Sequence, residues 1–206
     1  TSIKQTTKMA SGLFGTPISE ETVRATGEYK EPITQKDVAD YAMKMINAGG
    51  KDLDAQKFVD NLKDRYGNGI SAKCLIYKAT GKTLSLQTYK DWTGHIYDAP
   101  YPSDIHNGQW GAFLHVHPAA SLVGSFGAVV YRSTGVCDLM FGWGIPYIGD
   151  NGVNTAVIYV KMLFLVSPVI LALELVRHKL LCTSQIYVGK LCIYRGAANN
   201  HSFHQN

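Results

Sequence analysis

The stretch 107-NGQWGAFLHVHP-118 decides the fold. Its apolar residues alternate with the period of two that marks an extended strand, and Pro118 ends the run. Trp110, Ala112, Leu114 and Val116 share one parity and form the more consistently apolar face, which is expected to be buried. Gln109, Gly111, His115 and His117 share the other parity, together with Phe113. Side chains two residues apart on a strand point the same way. His115 and His117 are therefore expected as a pair facing outward or into a cleft.

Working outward, the same texture recurs on both sides. SAKCLIYKATG (71–81), KTLSLQTYKDW (82–92), SFGAVVYRSTG (125–135) and CDLMFGWGIPY (137–147) are short, rich in β-branched and aromatic residues, and separated by Gly, Pro, Asn or Ser. Evenly spaced short strands of this kind indicate an antiparallel β-sandwich or barrel. Composition agrees. The 206 residues are 46% hydrophobic, enough for one full core, and only 17% charged, with 20 Gly and 12 Tyr.

Before the strands the period changes to that of helices. TQKDVADYAMKMIN (34–47) opens on Thr34 with Asp37 three residues on, a capping-box-like start. Val38, Tyr41, Ala42, Met45 and Ile46 follow at helical spacing, and Gly49-Gly50 closes the run. LDAQKFVDNLKDRYG (53–67) repeats the pattern with Ala55, Phe58, Val59, Leu62 and Tyr66 and ends at Gly67. The expected architecture is α+β and mainly β: a helical pair over about 34–66, then a sandwich from about 70, within one domain spanning 19–195. Residues 1–18 read as a flexible arm in which Met9 is a candidate start, and 196–206 as a disordered tail.

Most chemistry is excluded by the residue pattern. The net charge of +4 is mild and the lysines form no basic stripe, so no nucleic-acid partner is expected. The four cysteines, Cys74, Cys137, Cys182 and Cys192, make no CxxC pair and read as free buried thiols in a reducing compartment. No charged-then-apolar leader precedes the domain, which points to a cytoplasmic protein, with peripheral membrane association. The run 156–176 is strongly apolar, but Lys161, Pro168 and Glu174 interrupt it, so it reads as a buried strand or helix. His115 and His117 lack a third ligand: PAASLVGSFGA follows them, with no Asp or Glu. There is no nucleophile elbow and no phosphate-binding glycine loop, and nothing calls for a cofactor or a metal.

Aromatic residues beside turns carry more information. Trp92, Tyr97, Tyr101, Trp110, Trp143 and Tyr147 flank loops, and 98–108 is a long Pro-containing loop. Rings with an apolar body and a polar tip suit sugar faces or a membrane interface. The candidate ligand-binding set is Trp92, Tyr97, Tyr101, His106, Trp110, His115 and His117; strand parity, by burying Trp110, weakens it as a contact.

The segments MASGLFGTPISEETV (9–23), TQKDVADYAMKMINAGGKDLDAQKFVDNLKDRYGNG (34–69), YPSDIHNGQWGAFLHV (101–116) and GAVVYR (127–132) carry a resemblance. There the chain resembles the plant jasmonate-induced proteins of about 23 kDa, over roughly Met9 to Trp143. The resemblance implies a stress- or jasmonate-induced plant protein, active in defence, without an assigned biochemical activity. It also implies a sandwich of the cytolysin/lectin type, a class that includes a sphingolipid-binding fungal protein. No catalytic residues carry over. From about residue 153 the family pattern stops. The apolar, basic character of MLFLVSPVILALELVRHKLLCTSQIYVGKLC (162–192) suggests an altered reading frame, an unspliced intron or a divergent copy, and a sandwich incomplete at its C-terminal side.

The functional expectation is a non-enzymatic module for glycans or membrane lipid head groups. Two alternatives stand beside it. One is a stress-related protein that meets a protein partner through its helices. The other is a hydrolase using His115 or His117.

Overall fold

The computed structural model describes residues 12–118, 121–133, 137–148, 152–159 and 191–194. Met9, the apolar run beyond Tyr159 and the 196–206 tail lie outside the described residues.

Three helices follow the short first strand (Leu13–Phe14). Ser19 caps α1 (Glu20–Thr26) through a capping box with Thr22, and Gly27 ends it at φ 68°. Thr34 caps α2 (Gln35–Lys44) in the same way with Asp37. A 3-10 turn at Ala48–Gly50, with Gly49 and Gly50 left-handed, reverses the chain into α3 (Lys51–Tyr66). Two helices were expected; α1 is the third. Its seven residues bury only Val23, so it leaves no periodic stripe to read.

The strands form two antiparallel sheets. Sheet A holds β1 (Leu13–Phe14), β2 (Ser71–Tyr77), β4 (His95–Ile96), β6 (Trp110–Val116) and β10 (Leu191–Tyr194), with β6 and β2 central. Sheet B runs β5 (Asp104–Ile105), β3 (Leu84–Thr93), β7 (Ser125–Ser133), β8 (Cys137–Ile145), β9 (Gly152–Tyr159). The fold is thus α+β with a two-sheet sandwich, as expected. The five strand segments read from the sequence are β2, β3, β6, β7 and β8. The expected arm 1–18 is corrected over residues 12–18, where the structure describes it. Leu13 and Phe14 pair with Gly111 and Trp110, and Ile18 is buried with its N–H on the Asn107 carbonyl. About where the family resemblance was expected to stop, β9 pairs with β8 from Gly144↔Gly152 to Cys137↔Tyr159.

The molecule has three layers, and that settles the reading of β6. Its inward face packs into the sandwich: Phe113 joins Cys74, Ile76, Val129, Leu139 and Trp143 in the inter-sheet core. Its other face lies beneath the helices, with Trp110 and Ala112 packed among Val38, Ala42, Ala55 and Val59. Leu114 and Val116 meet Leu62. Every residue of β6 and of β2 is therefore buried. Several polar groups caught between helices and sheet are paired, though Ser71 Oγ is not. Lys51 Nζ donates to the Gly108 carbonyl at 2.7 Å, Lys73 meets Asp60 at 2.5 Å, and the Tyr77 hydroxyl donates to the Ala42 carbonyl at 2.5 Å. Such pairing is stabilising, because a buried polar group without a partner costs about 1–3 kcal/mol.

Candidate functional site

One end of the sandwich is unlike the rest of the surface. Register fixes which loops gather there. Thr93, at the end of β3, pairs with Phe126 at the start of β7, and Ser125 pairs with Ile145 at the end of β8. The β3–β4 turn joins the two sheets at this end, with His95 opposite Val116. Of the seven exposed large apolar residues among those described, Trp92, Leu122, Val123, Tyr147 and Ile148 lie here; Leu53 stands on α3 and Tyr89 midway along β3. Leu122 and Ile148 are the most exposed, at 77% and 85%. Gly124 holds the two apolar loops together: a Cβ at this position would collide with the Ile145 carbonyl and the Pro146 backbone. Only glycine lets the Leu122-Val123 loop lie against Pro146-Tyr147. Large apolar side chains grouped at one end mark an interaction surface.

Beneath this rim the inter-sheet core contains a polar cluster. His115 is fully buried; its Nδ1 lies 2.7 Å from Ser125 Oγ and its Nε2 3.4 Å from Asp91 Oδ1. The Tyr101 hydroxyl donates to Asp91 at 2.9 Å. The indole of Trp143 stands edge-on to the imidazole, ring centres 4.9 Å apart. His115 Nε2 and Trp143 Nε1 both lack a hydrogen-bond partner. Burial holds the His115 pKa down at about 4; the pull of Asp91 in the other direction is weaker, and His95 adds to the depression. Burial likewise raises the Tyr101 phenol, with its bond to Asp91 adding to the effect, and the thiol of Cys74.

The expected contact residues do not form one site. Trp92 stands on the rim, 46% exposed. Tyr97 is half-buried against Tyr66, with ring centres 5.3 Å apart. Tyr101 is corrected to a core residue, packed on Phe113. Trp110 is also core: its Nε1 donates to the Ile46 carbonyl and its ring lies on Tyr77. His106 is exposed but sits after β5, which pairs with the start of β3, so it lies at the far end from the rim, bonded to Thr83 Oγ1. The paired-histidine reading is overturned. His115 enters the inter-sheet core, because helices rather than water cover the other face of β6. His117 lies beyond the last residue of β6 and packs on Tyr66 at the end of α3. Leu122, Val123 and Ile148 were missed. The available signal was large apolar residues within turn-like segments, SLVG and PYIG, where polar residues are usual.

The comparisons agree with this architecture. The chain is 72% identical over 154 residues to the 23 kDa jasmonate-induced protein of Hordeum vulgare, covering 72% of this chain and 73% of the relative. The crystal structure of the lipid binding protein Nakanori superposes with a TM-score of 0.74 at 31% identity, covering 81% of this chain and 84% of the other. The family model described as Nakanori-like protein matches residues 14–161. That span runs from β1 through β9 and takes in the helical layer, most of both sheets and the rim, so the chain belongs to the Nakanori-like protein family.

Proposed function

We propose that this protein is a non-enzymatic module that binds membrane lipid. It docks with the end of the sandwich that carries Trp92, Leu122, Val123, Tyr147 and Ile148. The observation that carries the reading is the grouping of these exposed apolar side chains on adjacent loops. An apolar side chain moved from water into the acyl boundary gains about 1.5–3 kcal/mol when fully buried. Trp and Tyr suit the head-group level, where one part of the ring is dry and the other wet. The similarity to a lipid binding protein supports the same reading. Like the barley relative, this protein is a product of the jasmonate response. A hydrolase is disfavoured by geometry. Asp91, His115 and Ser125 form a chain of acid, base and hydroxyl, but His115 and Ser125 are sealed at 0% exposure, leaving a nucleophile no substrate to reach.

Co-sedimentation with vesicles of phosphatidylcholine, alone or with phosphatidylserine or sphingolipid, tests the proposal. Binding to at least one composition is expected. The Leu122→Ser/Ile148→Ser double variant should weaken it roughly 100-fold, at about tenfold per side chain half-inserted, with the melting temperature unchanged. Unaltered binding by that variant would place the contact elsewhere on the molecule.

A further inference from the structure

We infer that His115 is an acid-sensitive latch beneath the rim: uncharged, it holds the β3–β4 turn and the 121–125 loop closed, and its protonation releases them toward the membrane. The inference rests on the proposed docking end and adds its regulation.

The geometry carries it. His115 is the point where four elements of the rim meet. The Gly94 turn lies so close on the imidazole that a Cβ there would collide with the ring edge. Ser125, which bonds Nδ1, directly follows the loop carrying Leu122 and Val123. Trp143 of β8 stands against the ring two residues before Ile145, whose carbonyl seats Gly124. Asp91 of β3 lies 3.4 Å from Nε2, one residue before Trp92. Three of the five exposed apolar rim residues are thus one to three residues from a group touching this histidine. The groups that face His115 and bear or influence charge are Asp91 from β3 and His95 from β4, with Ser125 from β7 and Trp143 from β8 as uncharged neighbours. Tyr101 acts on it only through Asp91.

In the closed form the ring is dry, and the Asp91 carboxylate 3.4 Å from Nε2 offsets only part of the desolvation cost of charging it. In the open form the ring is hydrated and titrates as an ordinary histidine. The closed-state pKa is depressed from 6.5 to about 4, so closure is fully favoured above pH 6.5 and is weakened as pH falls from there toward 4. Between pH 7 and pH 5 these values shift the open–closed ratio by roughly 20-fold.

Hydrogen exchange, expressed as protection factors at pH 7 and pH 5 without lipid, reads the latch directly. Amides at 92–97 and 121–126 should lose about tenfold or more of their protection at pH 5, while those of α3 and β2 keep theirs. His115→Asn retains a partner for Ser125 but cannot charge; it should abolish the change. His95→Gln and His117→Gln, which remove the other histidines of this end, should not. Binding to phosphatidylcholine–sphingolipid vesicles should rise by a similar factor at pH 5 in the native chain and stay flat in His115→Asn. Unchanged protection of the rim amides, or an acid response that survives in His115→Asn, overturns the latch. So does an equal loss of protection throughout the molecule. Normal exchange behaviour with no binding to any vesicle would instead retain the latch and remove the membrane.

Discussion

Trp110 fills the space between α2, α3 and sheet A, and its indole N–H satisfies the Ile46 carbonyl beyond the end of α2. Replacing it with Ala should cost about 3–5 kcal/mol in chemical denaturation, the usual loss for a large buried aromatic. The folded fraction should keep its vesicle binding, since Trp110 lies at the N-terminal end of β6 and the rim at the other. At this scale the sequence was half legible. Parity along 110–116 separates the two faces of β6 correctly, and Trp110, Leu114 and Val116 are buried as expected. What parity cannot supply is the nature of the opposite face. An alternating strand in a two-layer sandwich turns polar residues to water, whereas a three-layer molecule buries both faces. His115 is therefore read as outward from the sequence and found dry in the structure. Its Ser125 and Asp91 contacts come from two other strands, and nothing in local sequence announces them.

At the scale of elements, chemistry that is local was read well. The Thr34–Asp37 box forms as the spacing indicates, each residue bonding the backbone of the other. Thr34→Ala should remove about 1 kcal/mol of stability, measured by denaturant titration, and shorten α2 from its first turn. The strands β2, β3, β6, β7 and β8 were legible because each is a dense β-branched or aromatic run between turn residues. β1, β4 and β5 were not, because two residues carry no period; they exist only through their partners β6 and β3. Strand β3 shows how an element is shaped by what borders it. Only Leu84 and Ser85 are covered by β5, and the exposed remainder is interrupted by bulges at Gln87 and Trp92. Bulges bend an edge away from regular pairing, which guards an open edge against adding a strand from another chain. The second bulge falls on Trp92, within the rim.

Across the whole molecule, the two ends of the sandwich differ in chemistry. One end carries exposed Leu, Ile, Val and aromatic side chains on adjacent loops; the other carries the His106–Thr83 contact and the paired buried lysine Lys51. The net charge of +4 is too small to give the molecule a strong electrostatic orientation at a surface, so on the proposed membrane reading the apolar rim would orient it. That polarity could not be read along the chain, since residues 92, 122–123 and 147–148 meet only once strand register is known.

Asn107 has a consequence for the order in which the molecule assembles. Its side chain donates to the carbonyls of Ile18 and Val38 and accepts from the Gly81 N–H, closing separations of 89, 69 and 26 residues. Contacts over such distances bear a loop-closure cost that nearer contacts do not repay in advance. They should form after the folding barrier, once sheet A exists to receive the helices. Asn107→Ala should then leave the refolding rate nearly unchanged and speed unfolding by roughly 100-fold, from three bonds of about 1 kcal/mol each, as read from the two arms of a stopped-flow chevron. The helical layer would arrive last on a sandwich already built, and one asparagine would set how long it stays.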